Sequence, residues 1–361
     1  MSMHVLPSGV AFCILGCLLL AATAYGAPRE GYWRGQHLSI GSAEDVPVLK
    51  ALITEQLAPL GVNVLVLEVN YNFQFQSHPE LSQGSLTAEG AHEIAAVCRE
   101  HGIRVIPLLN CLGHQSWSHS TFSLLTKHPE FDETPDIPLS NPDIYCRSWC
   151  PLHPGVNAII FDLMDELLKA FEADALHVGM DEVFLIGSDQ CPRCRGKSTA
   201  ELFAKAVNDL HRHLVDERHA EMLMWGDRLL NADATGYGEW EAAANGTDRA
   251  IDRIPHDIIM CDWHYEVLER YPSVALFQEK GFRVWPSPWR NPEAARRLIA
   301  ASKEGATDRM LGMLCTGWDV GGGGRNLAAA LRGQATADQG EETRGVGAAQ
   351  VLRLAMQAFA D

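Results

Sequence analysis

The sequence predicts an α/β protein built as a single (β/α)8 TIM barrel domain. From Arg34 onward, short β-branched runs alternate with longer amphipathic stretches, and no Pro/Gly/Ser-rich linker interrupts them. Eight such runs occur, each followed by a helical pattern or a long loop, which is the element order of this barrel. The chain of 361 residues, 47% of them apolar, suffices for one large domain. An open doubly wound sheet is the alternative.

The predicted elements follow one another along the chain. Strands are expected at 35–40, 63–69, 104–109, 175–178, 221–225, 258–263, 283–286 and 310–316. Helical patterns lie at 46–59, 87–101, 154–173, 199–218, 272–280, 292–303 and 327–359. The segment after Trp225 is rich in Gly and Ala and has the weakest helical pattern.

Residues 1–27 have the features of a secretory signal peptide. They contain no Lys, Arg, Asp or Glu, and the apolar run 10–22 leads to a small-residue stretch with cleavage expected near Gly26 or Ala27. The catalytic domain is then 28–361, and the protein is expected to be exported to the periplasm or outside the cell. A retained membrane anchor is the alternative, because the positive segment that usually precedes the apolar run is missing.

The net charge limits the kinds of partner, and the cysteine content decides whether disulfides are possible. A formal net charge of −17 argues against nucleic acid as a partner. Removal of the leader leaves an even number of cysteines, which outside the cytosol permits disulfides without requiring them. They are Cys98, Cys111, Cys146, Cys150, Cys191, Cys194, Cys261 and Cys315. The sequence leaves open whether the protein forms a homodimer.

Residues that directly follow the predicted strands are expected to meet at one face of the barrel. This set combines acidic, amide and aromatic side chains, as in a sugar pocket, where rings stack on aromatic faces and polar groups hold hydroxyls. The residues are Glu68, Asn70, His114, Asp181, Glu182, Asp227, Trp263, Tyr265, Trp289, Trp318 and Asp319.

Asp181 and Glu182 place two adjacent carboxyl groups at the end of the fourth predicted strand. Strand alternation would point them in different directions, one toward a donor and the other toward a leaving group. Crowded carboxylates resist ionising together, which raises the pKa of one and supplies a general acid. The dipeptide alone is far more often part of a solvated turn, so its position at a strand end carries the prediction.

The run His177-x-Gly179-x-Asp181-Glu182 resembles the signature of glycoside hydrolase family 20, the β-N-acetylhexosaminidases. Further motifs between residues 33 and 320 are similar to the hexosaminidase D branch of that family. They are Arg34-Gly35, Leu67-Glu68, residues 78–81, 105–108, Gly113-His114, residues 150–156, Cys191-x-x-Cys194, residues 224–227 and 316–318.

This resemblance implies retaining, substrate-assisted hydrolysis of a terminal N-acetylhexosamine on an oligosaccharide or glycoconjugate. The acetamido oxygen of the substrate would attack the anomeric carbon. Glu182 would protonate the departing oxygen and later deprotonate water, while Asp181 would orient the acetamido N–H and stabilise the oxazolinium intermediate. No metal or organic cofactor is implied, and the choice between glucosamine and galactosamine stays open.

Three further residues are predicted to support the reaction. His114 matches the family's active-site histidine and would tune Glu182, although a histidine bonded only to backbone is the alternative. Glu68 is expected to partner His114 or to bind a sugar hydroxyl. The family places aspartates where residues 69–72 read Val-Asn-Tyr-Asn, so the sequence departs from the pattern there. Asp227 is predicted to contact the sugar.

Other predicted substrate ligands are mostly aromatic. Tyr265 would contact the acetamido group, and Trp263 and Trp318 would wall the pocket, or else pack in the core. Asp319 would bind a sugar hydroxyl. Arg34 is expected either to bind a hydroxyl or to form a structural ion pair. The family's further sugar-binding arginine is missing, and Ser42 lies near its position.

The Cys191-x-x-Cys194 motif leaves three states open: a loop-stapling disulfide, a small zinc site and free thiols. A zinc site needs two more ligands, for which Cys146 and Cys150 are the evident donors. His211 and His213 lack the i, i+4 spacing of a helical metal site and are predicted to be surface residues.

Two other functions fit the sequence. One is a conventional two-carboxylate barrel glycosidase acting on a sugar without an acetamido group, against which the adjacency of the two acids argues. The other is an inactive carbohydrate-binding barrel, against which the intact acids argue.

Overall fold

The computed structural model describes Met1 and residues 31–118, 120–334 and 340–360. The predicted leader therefore lies, apart from Met1, outside the described residues. In the described part, eight parallel strands form one sheet in the order β10-β1-β2-β3-β6-β7-β8-β9. Neighbouring strands are mostly consecutive in the chain and are joined by helices, so the predicted (β/α)8 barrel is confirmed.

All eight predicted barrel strands are present, with ends that differ by a few residues. The strands are β1 Trp33–Ser39, β2 Val64–Glu68, β3 Arg104–Cys111, β6 Ala175–Gly179, β7 Glu221–Trp225, β8 Ile259–Trp263, β9 Arg283–Ser287 and β10 Gly312–Cys315. A separate antiparallel hairpin is formed by β4 Ser116–Trp117 and β5 Ser120–Thr121.

Helices cover the outside of the barrel. The α-helices are α1 Asp45–Leu52, α2 Ala88–Glu100, α3 Ser123–Lys127, α4 Val156–Ala170, α5 Thr199–His211, α6 Ala232–Thr235, α7 Gly238–Glu241, α8 Pro272–Glu279, α9 Pro292–Glu304, α10 Arg325–Leu331 and α11 Gly340–Ala358. Two π-helical turns, Ile53–Leu57 and Arg212–Glu217, extend α1 and α5. Single 3-10 segments lie at Asn70–Asn72, Pro79–Leu81, Pro129–Phe131, Asp227–Leu229, Thr247–Arg253 and Gly322–Gly324.

The barrel closes between β9 and β10. An isolated parallel bridge pairs Val284 with Met310. Backbone hydrogen bonds flank it: the N–H of Leu311 donates to the carbonyl of Val284 at 3.0 Å, and that of Thr316 to the carbonyl of Pro288 at 2.8 Å. Closure leaves no free sheet edge in the barrel, and the strand ends converge at its two mouths.

Strand alternation sorts the apolar side chains into two layers. In β2, Val64 and Val66 belong to the buried cluster inside the barrel, while Leu65 and Leu67 belong to the layer between strands and helices. The same two-residue period recurs in β7, where Trp225 is fully buried inside the barrel. The interior is therefore a packed core, and ligands are restricted to a mouth of the barrel.

The C-terminal helical pattern differs from the prediction. One helix was expected over 327–359, but α10 ends at Leu331 and α11 begins at Gly340. Gly333 adopts φ +72°, a left-handed conformation that ends helices and that glycine adopts without steric cost. The region after β7 also differs, with short helices in place of a single one. Among the described residues, no helix has the length and apolarity required to span a bilayer.

Candidate functional site

A cavity of about 700 Å³ opens at the carboxyl ends of the barrel strands. This volume lies in the range of roughly 300–1,000 Å³ that is typical of ligand pockets. Eight of the residues predicted at this mouth line it: His114, Asp181, Glu182, Trp263, Tyr265, Trp289, Trp318 and Asp319. Arg34, Glu68 and Asp227 were also predicted to bind substrate, but they are not part of the lining.

Both neighbouring carboxylates face the same cavity because the chain leaves the strand before reaching them. After Gly179 at φ +66°, Met180 and Glu182 also take left-handed conformations, at φ +75° and +50°. Strand alternation therefore does not set the directions of the two acids, because β6 ends at Gly179. Position 179 also requires glycine for space, since a Cβ there would lie 2.3 Å from Oδ1 of Asn110. Such backbone strain is concentrated at functional sites.

His114 lies between the two acids. Its Nε2 is 3.1 Å from Oδ2 of Asp181 and 3.0 Å from Oε2 of Glu182. Burial acts to lower the pKa of His114, but the Asp181 carboxylate outweighs it with help from Cys146, and the pKa is raised well above its usual value. Burial likewise acts to raise the pKa of Asp181, and the adjacent imidazolium brings it below its ordinary range. The pair is accordingly charged at neutral pH.

Asp181 keeps one oxygen free for a ligand. Oδ2 contacts His114, whereas Oδ1 is buried and has no hydrogen-bond partner among the described residues. An unpartnered buried carboxylate oxygen is costly unless a bound molecule supplies a donor. An N–H group of a ligand in the cavity meets that requirement.

Cys146, which strand-end reasoning missed as an active-site residue, contacts the other side of His114. Its Sγ is 3.4 Å from Nδ1 of His114 and 3.7 Å from Oε2 of Glu182. Burial raises the pKa of the Cys146 thiol to about 11, so it remains protonated at neutral pH and can donate to Glu182. Cys146 lies in the long segment after β3, where no periodic pattern marks its position. Together with His114 and Glu182 it brings three potential metal-ligand atoms within 4.8 Å of one another, beside the cavity.

Asp227 positions the catalytic loop and is not a sugar ligand. Its Oδ2 accepts hydrogen bonds from the backbone N–H of Glu182 at 3.0 Å and from Nε of Arg228 at 2.6 Å. Its Oδ1 accepts from Nε1 of Trp263 at 3.3 Å. The side chain is buried, which raises its pKa to about 6 although Arg228 opposes the shift. The predicted sugar contact is therefore corrected to a role in holding the backbone of Glu182.

Glu68 lies behind the lining. Its Oε1 accepts from the side-chain amides of Asn70 at 2.8 Å and Asn110 at 3.0 Å. Burial raises the pKa of Glu68. It is not part of the cavity lining and forms no direct hydrogen bond to His114 in the described structure, although the charge of His114 acts to lower its pKa. Its partnership with His114 and its contact with a sugar hydroxyl therefore stay predictions. The amides of Asn70 and Asn110 support this end of β3, where its register with β6 shifts between Leu108 and Cys111.

Arg34 lies at the opposite end of the barrel, at the start of β1. Its Nε donates to the carbonyl of Gly61 at 2.6 Å, and its Nη1 donates to that of Phe359 at 3.1 Å. The prediction that Arg34 binds a sugar is therefore wrong. Arg34 has the structural role given as the alternative, but its partners are backbone carbonyls and not the acid of an ion pair. The interaction anchors α11 against the bottom of the barrel.

Aromatic rings form most of the cavity wall. Nε1 of Trp318 donates to the hydroxyl of Tyr265 at 2.6 Å. The ring of Tyr265 lies 4.9 Å from that of Trp263 and 5.2 Å from that of Trp289. Burial raises the pKa of Tyr265, so its hydroxyl stays protonated. Such a wall is suited to stacking against the apolar face of a sugar.

A second group of lining aromatics was not predicted. Trp117 and Trp240 are 53% and 51% exposed, and the ring of Tyr145 lies between them, 5.5 Å and 5.4 Å away. They come from the long loops after β3 and β7, well beyond the strand ends. Only the loop paths bring them to the cavity entrance.

His264 fixes another part of the wall. Its Nδ1 is 2.7 Å from Oε2 of Glu241, and its Nε2 is 3.1 Å from Oδ1 of Asp262. Oε1 of Glu241 accepts from the backbone N–H of Tyr265 at 3.1 Å, which ties the network to the cavity. Burial acts to lower the pKa of His264, but Asp262 and Glu241 raise it to about 9.

This buried imidazolium predicts a loss of stability at alkaline pH. The pKa of His264 rises from 6.5 in the unfolded chain to about 9 in the folded protein. Its contribution is complete below pH 6.5 and is lost as the pH rises through 9. It is on the order of 3 kcal/mol. Urea unfolding from pH 6 to 10 is expected to show this decline in the wild type and a flatter profile in His264→Gln. The exposed His92→Gln control should match the wild type, and an equal decline in both variants would contradict the assignment.

Comparisons with known proteins match the part of the chain that contains this site to a protein family. The model of the glycosyl hydrolase family 20 catalytic domain matches residues 63–319. A β-hexosaminidase of Vibrio furnissii is 26% identical over 201 residues, which is 55% of this chain and 29% of that enzyme. Flavobacterium johnsoniae chitobiase has a TM-score of 0.59 at 18% identity, covering 91% of this chain and 51% of that one. A β-N-acetylhexosaminidase of Bacteroides fragilis has a TM-score of 0.61 at 14% identity, covering 89% and 66%.

The family match contains every residue of the cavity wall, from His114 to Asp319. The solved structures, at such low identity, support the (β/α)8 fold. The chain spans 29% of the Vibrio furnissii enzyme and 51% of the chitobiase.

Proposed function

Because its residues 63–319 match the catalytic-domain model, this chain belongs to glycosyl hydrolase family 20, and we propose that it removes terminal β-linked N-acetylhexosamine with retention of configuration. One observation carries the proposal. Asp181 and Glu182 line the same cavity around His114, and Oδ1 of Asp181 has no hydrogen-bond partner among the described residues. The substrate acetamido N–H is a donor suited to that oxygen.

The reaction needs no enzyme nucleophile. The acetamido carbonyl oxygen attacks the anomeric carbon as the glycosidic C–O bond breaks, and the proton of Glu182 passes to the leaving oxygen. Water then attacks the anomeric carbon from the face that the aglycone left, the bond between that carbon and the acetamido oxygen breaks, and the water gives a proton to Glu182. Both steps invert the anomeric centre, so the product keeps the β configuration.

Asp181 supplies the charge that this route requires. Its carboxylate accepts the acetamido N–H and lies beside the developing oxazolinium cation. The protonated His114 supports this arrangement by keeping the pKa of Asp181 low, while the thiol of Cys146 donates toward Glu182. The two acids thus share His114 within one cavity, and Cys146 contacts Glu182 in addition.

The lining supports an exo-acting enzyme with a saccharide substrate. Trp263, Tyr265 and Trp318 would enclose the terminal sugar, while the exposed Trp117 and Trp240 at the entrance would stack against the aglycone. The substrate is then an oligosaccharide or glycoconjugate, and the net charge of −17 argues against nucleic acid as a partner. The apolar leader of the sequence supports an exported enzyme, and the quoted motifs support placement in the hexosaminidase D branch.

Hydrolysis of three aryl glycosides tests the proposal. We expect release of the aryl group from the N-acetyl-β-glucosaminide, the N-acetyl-β-galactosaminide or both, and little or none from the β-glucoside. Comparable hydrolysis of the glucoside would support a conventional two-carboxylate glycosidase instead. Sugar binding without hydrolysis of any of the three would support an inactive binding barrel.

A further inference from the structure

Outside the catalytic cavity, four buried side chains bring potential metal ligands together. The Sγ atoms of Cys150, Cys191 and Cys194 and a carboxylate oxygen of Glu133 all lie within 4.8 Å of one another. None of the four side chains is more than 1% exposed. The cluster draws on two segments that are far apart in the sequence, the loop after β3 and the loop after β6.

The first segment is held by antiparallel backbone pairing. Asp132 and Trp149 form an isolated bridge. On either side of it, the N–H of Glu133 donates to the carbonyl of Ser148 at 3.0 Å, and that of Cys150 to the carbonyl of Phe131 at 2.6 Å. Glu133 and Cys150 are thereby fixed on the same face of this pair, one on each side of the bridge.

The second segment is a tight turn around Cys191-Pro-Arg-Cys194. The N–H of Cys191 donates to the carbonyl of Ser188 at 3.1 Å, and that of Arg195 to the carbonyl of Cys191 at 3.0 Å. The turn holds the sulfurs of Cys191 and Cys194 within 4.8 Å of each other and of the sulfur of Cys150.

Glu133 has one oxygen in use and one free. Oε1 accepts the backbone N–H groups of Gly187 at 2.7 Å and Ser188 at 3.0 Å. Oε2 is buried and has no partner in hydrogen-bonding geometry among the described residues. A buried acid with an unpartnered oxygen beside three sulfurs indicates that a cation completes the group.

We propose that Glu133, Cys150, Cys191 and Cys194 bind a structural Zn²⁺ ion. Zinc takes four ligands in a tetrahedron, and Zn–S bonds of about 2.3 Å separate the sulfurs by about 3.8 Å. The sulfurs of Cys150 and Cys194 are 3.4 Å apart, so small shifts create this geometry. A disulfide between those two would leave Cys191 and Glu133 outside the bridge, whereas a metal ion engages all four side chains. Four protein ligands leave no open position, so the ion would be structural.

The ion would join the two loops that carry the catalytic residues. His114 and Cys146 belong to the loop after β3, and Asp181 and Glu182 begin the loop after β6. The proposed ligands lie farther along the same loops. A metal bridge there would limit their separation and so keep the histidine next to the two acids.

Metal content tests the site independently of glycosidase activity. We expect protein purified without chelators to contain about one Zn²⁺ per chain by plasma mass spectrometry. Cys191→Ser and Cys194→Ser should lose most of it. Cys98→Ser is the matched control, since Cys98 is also buried but belongs to no metal cluster in the described structure, and it should keep its metal.

Two further measurements use proteins that keep all the wild-type cysteines. Their results therefore do not depend on whether the Cys→Ser variants fold. Co²⁺-reconstituted wild type should show the visible bands of a tetrahedral thiolate site. Glu133→Gln retains a carbonyl acceptor for Gly187 and Ser188 but loses the charge, and we expect its Zn²⁺ affinity to fall at least about tenfold in competition with a chromogenic chelator. Wild-type protein free of metal, or an intact mass and alkylation pattern that show a Cys150–Cys194 disulfide, would overturn the proposal.

Discussion

Glu182→Gln is expected to reduce turnover of an N-acetylhexosaminyl oligosaccharide by about 10²–10⁴-fold, the usual contribution of a general acid. An amide cannot deliver the proton that a poor leaving group needs. The loss should shrink for an aryl glycoside whose leaving group departs as a stable phenolate. Steady-state kinetics on both substrates measure the effect, and azide, which attacks without deprotonation, should partly restore the aryl reaction.

The controls for this variant separate chemistry from folding. Glu201→Gln changes an exposed glutamate on α5 that pairs with Arg253, and this variant should retain wild-type rates. The isosteric Glu182→Gln should still bind the product sugar, because its backbone N–H remains held by Asp227. An unchanged rate on the oligosaccharide would exclude Glu182 as the acid.

Asp181→Asn is expected to lower kcat by about 10²–10³-fold, as when one preorganised electrostatic group is removed from an active site. The amide keeps the shape of the side chain but loses the charge that faces the oxazolinium cation. It also presents a donor or a weaker acceptor to the acetamido N–H. Affinity for a thiazoline inhibitor, which mimics the cyclic intermediate, should fall together with kcat.

This variant should differ from the preceding one in two ways. The loss should be similar for good and poor leaving groups, and azide should restore nothing, since the missing interaction acts before water enters. Asp136→Asn, at an exposed loop position, is the control that should behave as the wild type. If Asp181→Asn lost activity only on oligosaccharides, Asp181 would instead be acting on the leaving group.

Strand-end positions could be predicted from the sequence because the barrel repeats one local rule. Apolar β-branched runs locate the strands, and parallel strands bring their carboxyl ends to one mouth. His114, Asp181, Glu182 and Tyr265 follow such runs, and all of them line the cavity. Turn geometry was less accessible: left-handed residues after Gly179 rotate both acids into the cavity, contrary to the alternation expected of a strand.

Errors arose where a role depends on the direction of a side chain. Asp227 follows β7 as predicted but turns toward the backbone of Glu182 and toward Arg228. His211 and His213 were predicted to be exposed, yet both are buried. Acids in other segments surround them, since Asp257 contacts His211 at 2.9 Å and Asp165 contacts His213 at 2.9 Å. The spacing of residues along a helix does not show which acids from other segments will contact them.

The sequence by itself determined the eight-stranded barrel and the residues at its catalytic mouth, because hydrophobic periodicity and strand order are local properties that the chain carries directly. Only the tertiary structure decided which groups the long loops bring together. Cys146 reaches His114, and Glu133 joins cysteines from positions 150 to 194. Those loops have no periodicity, and their paths are set by hydrogen bonds and packing between residues distant in the chain, so their chemistry appears only after the chain has folded.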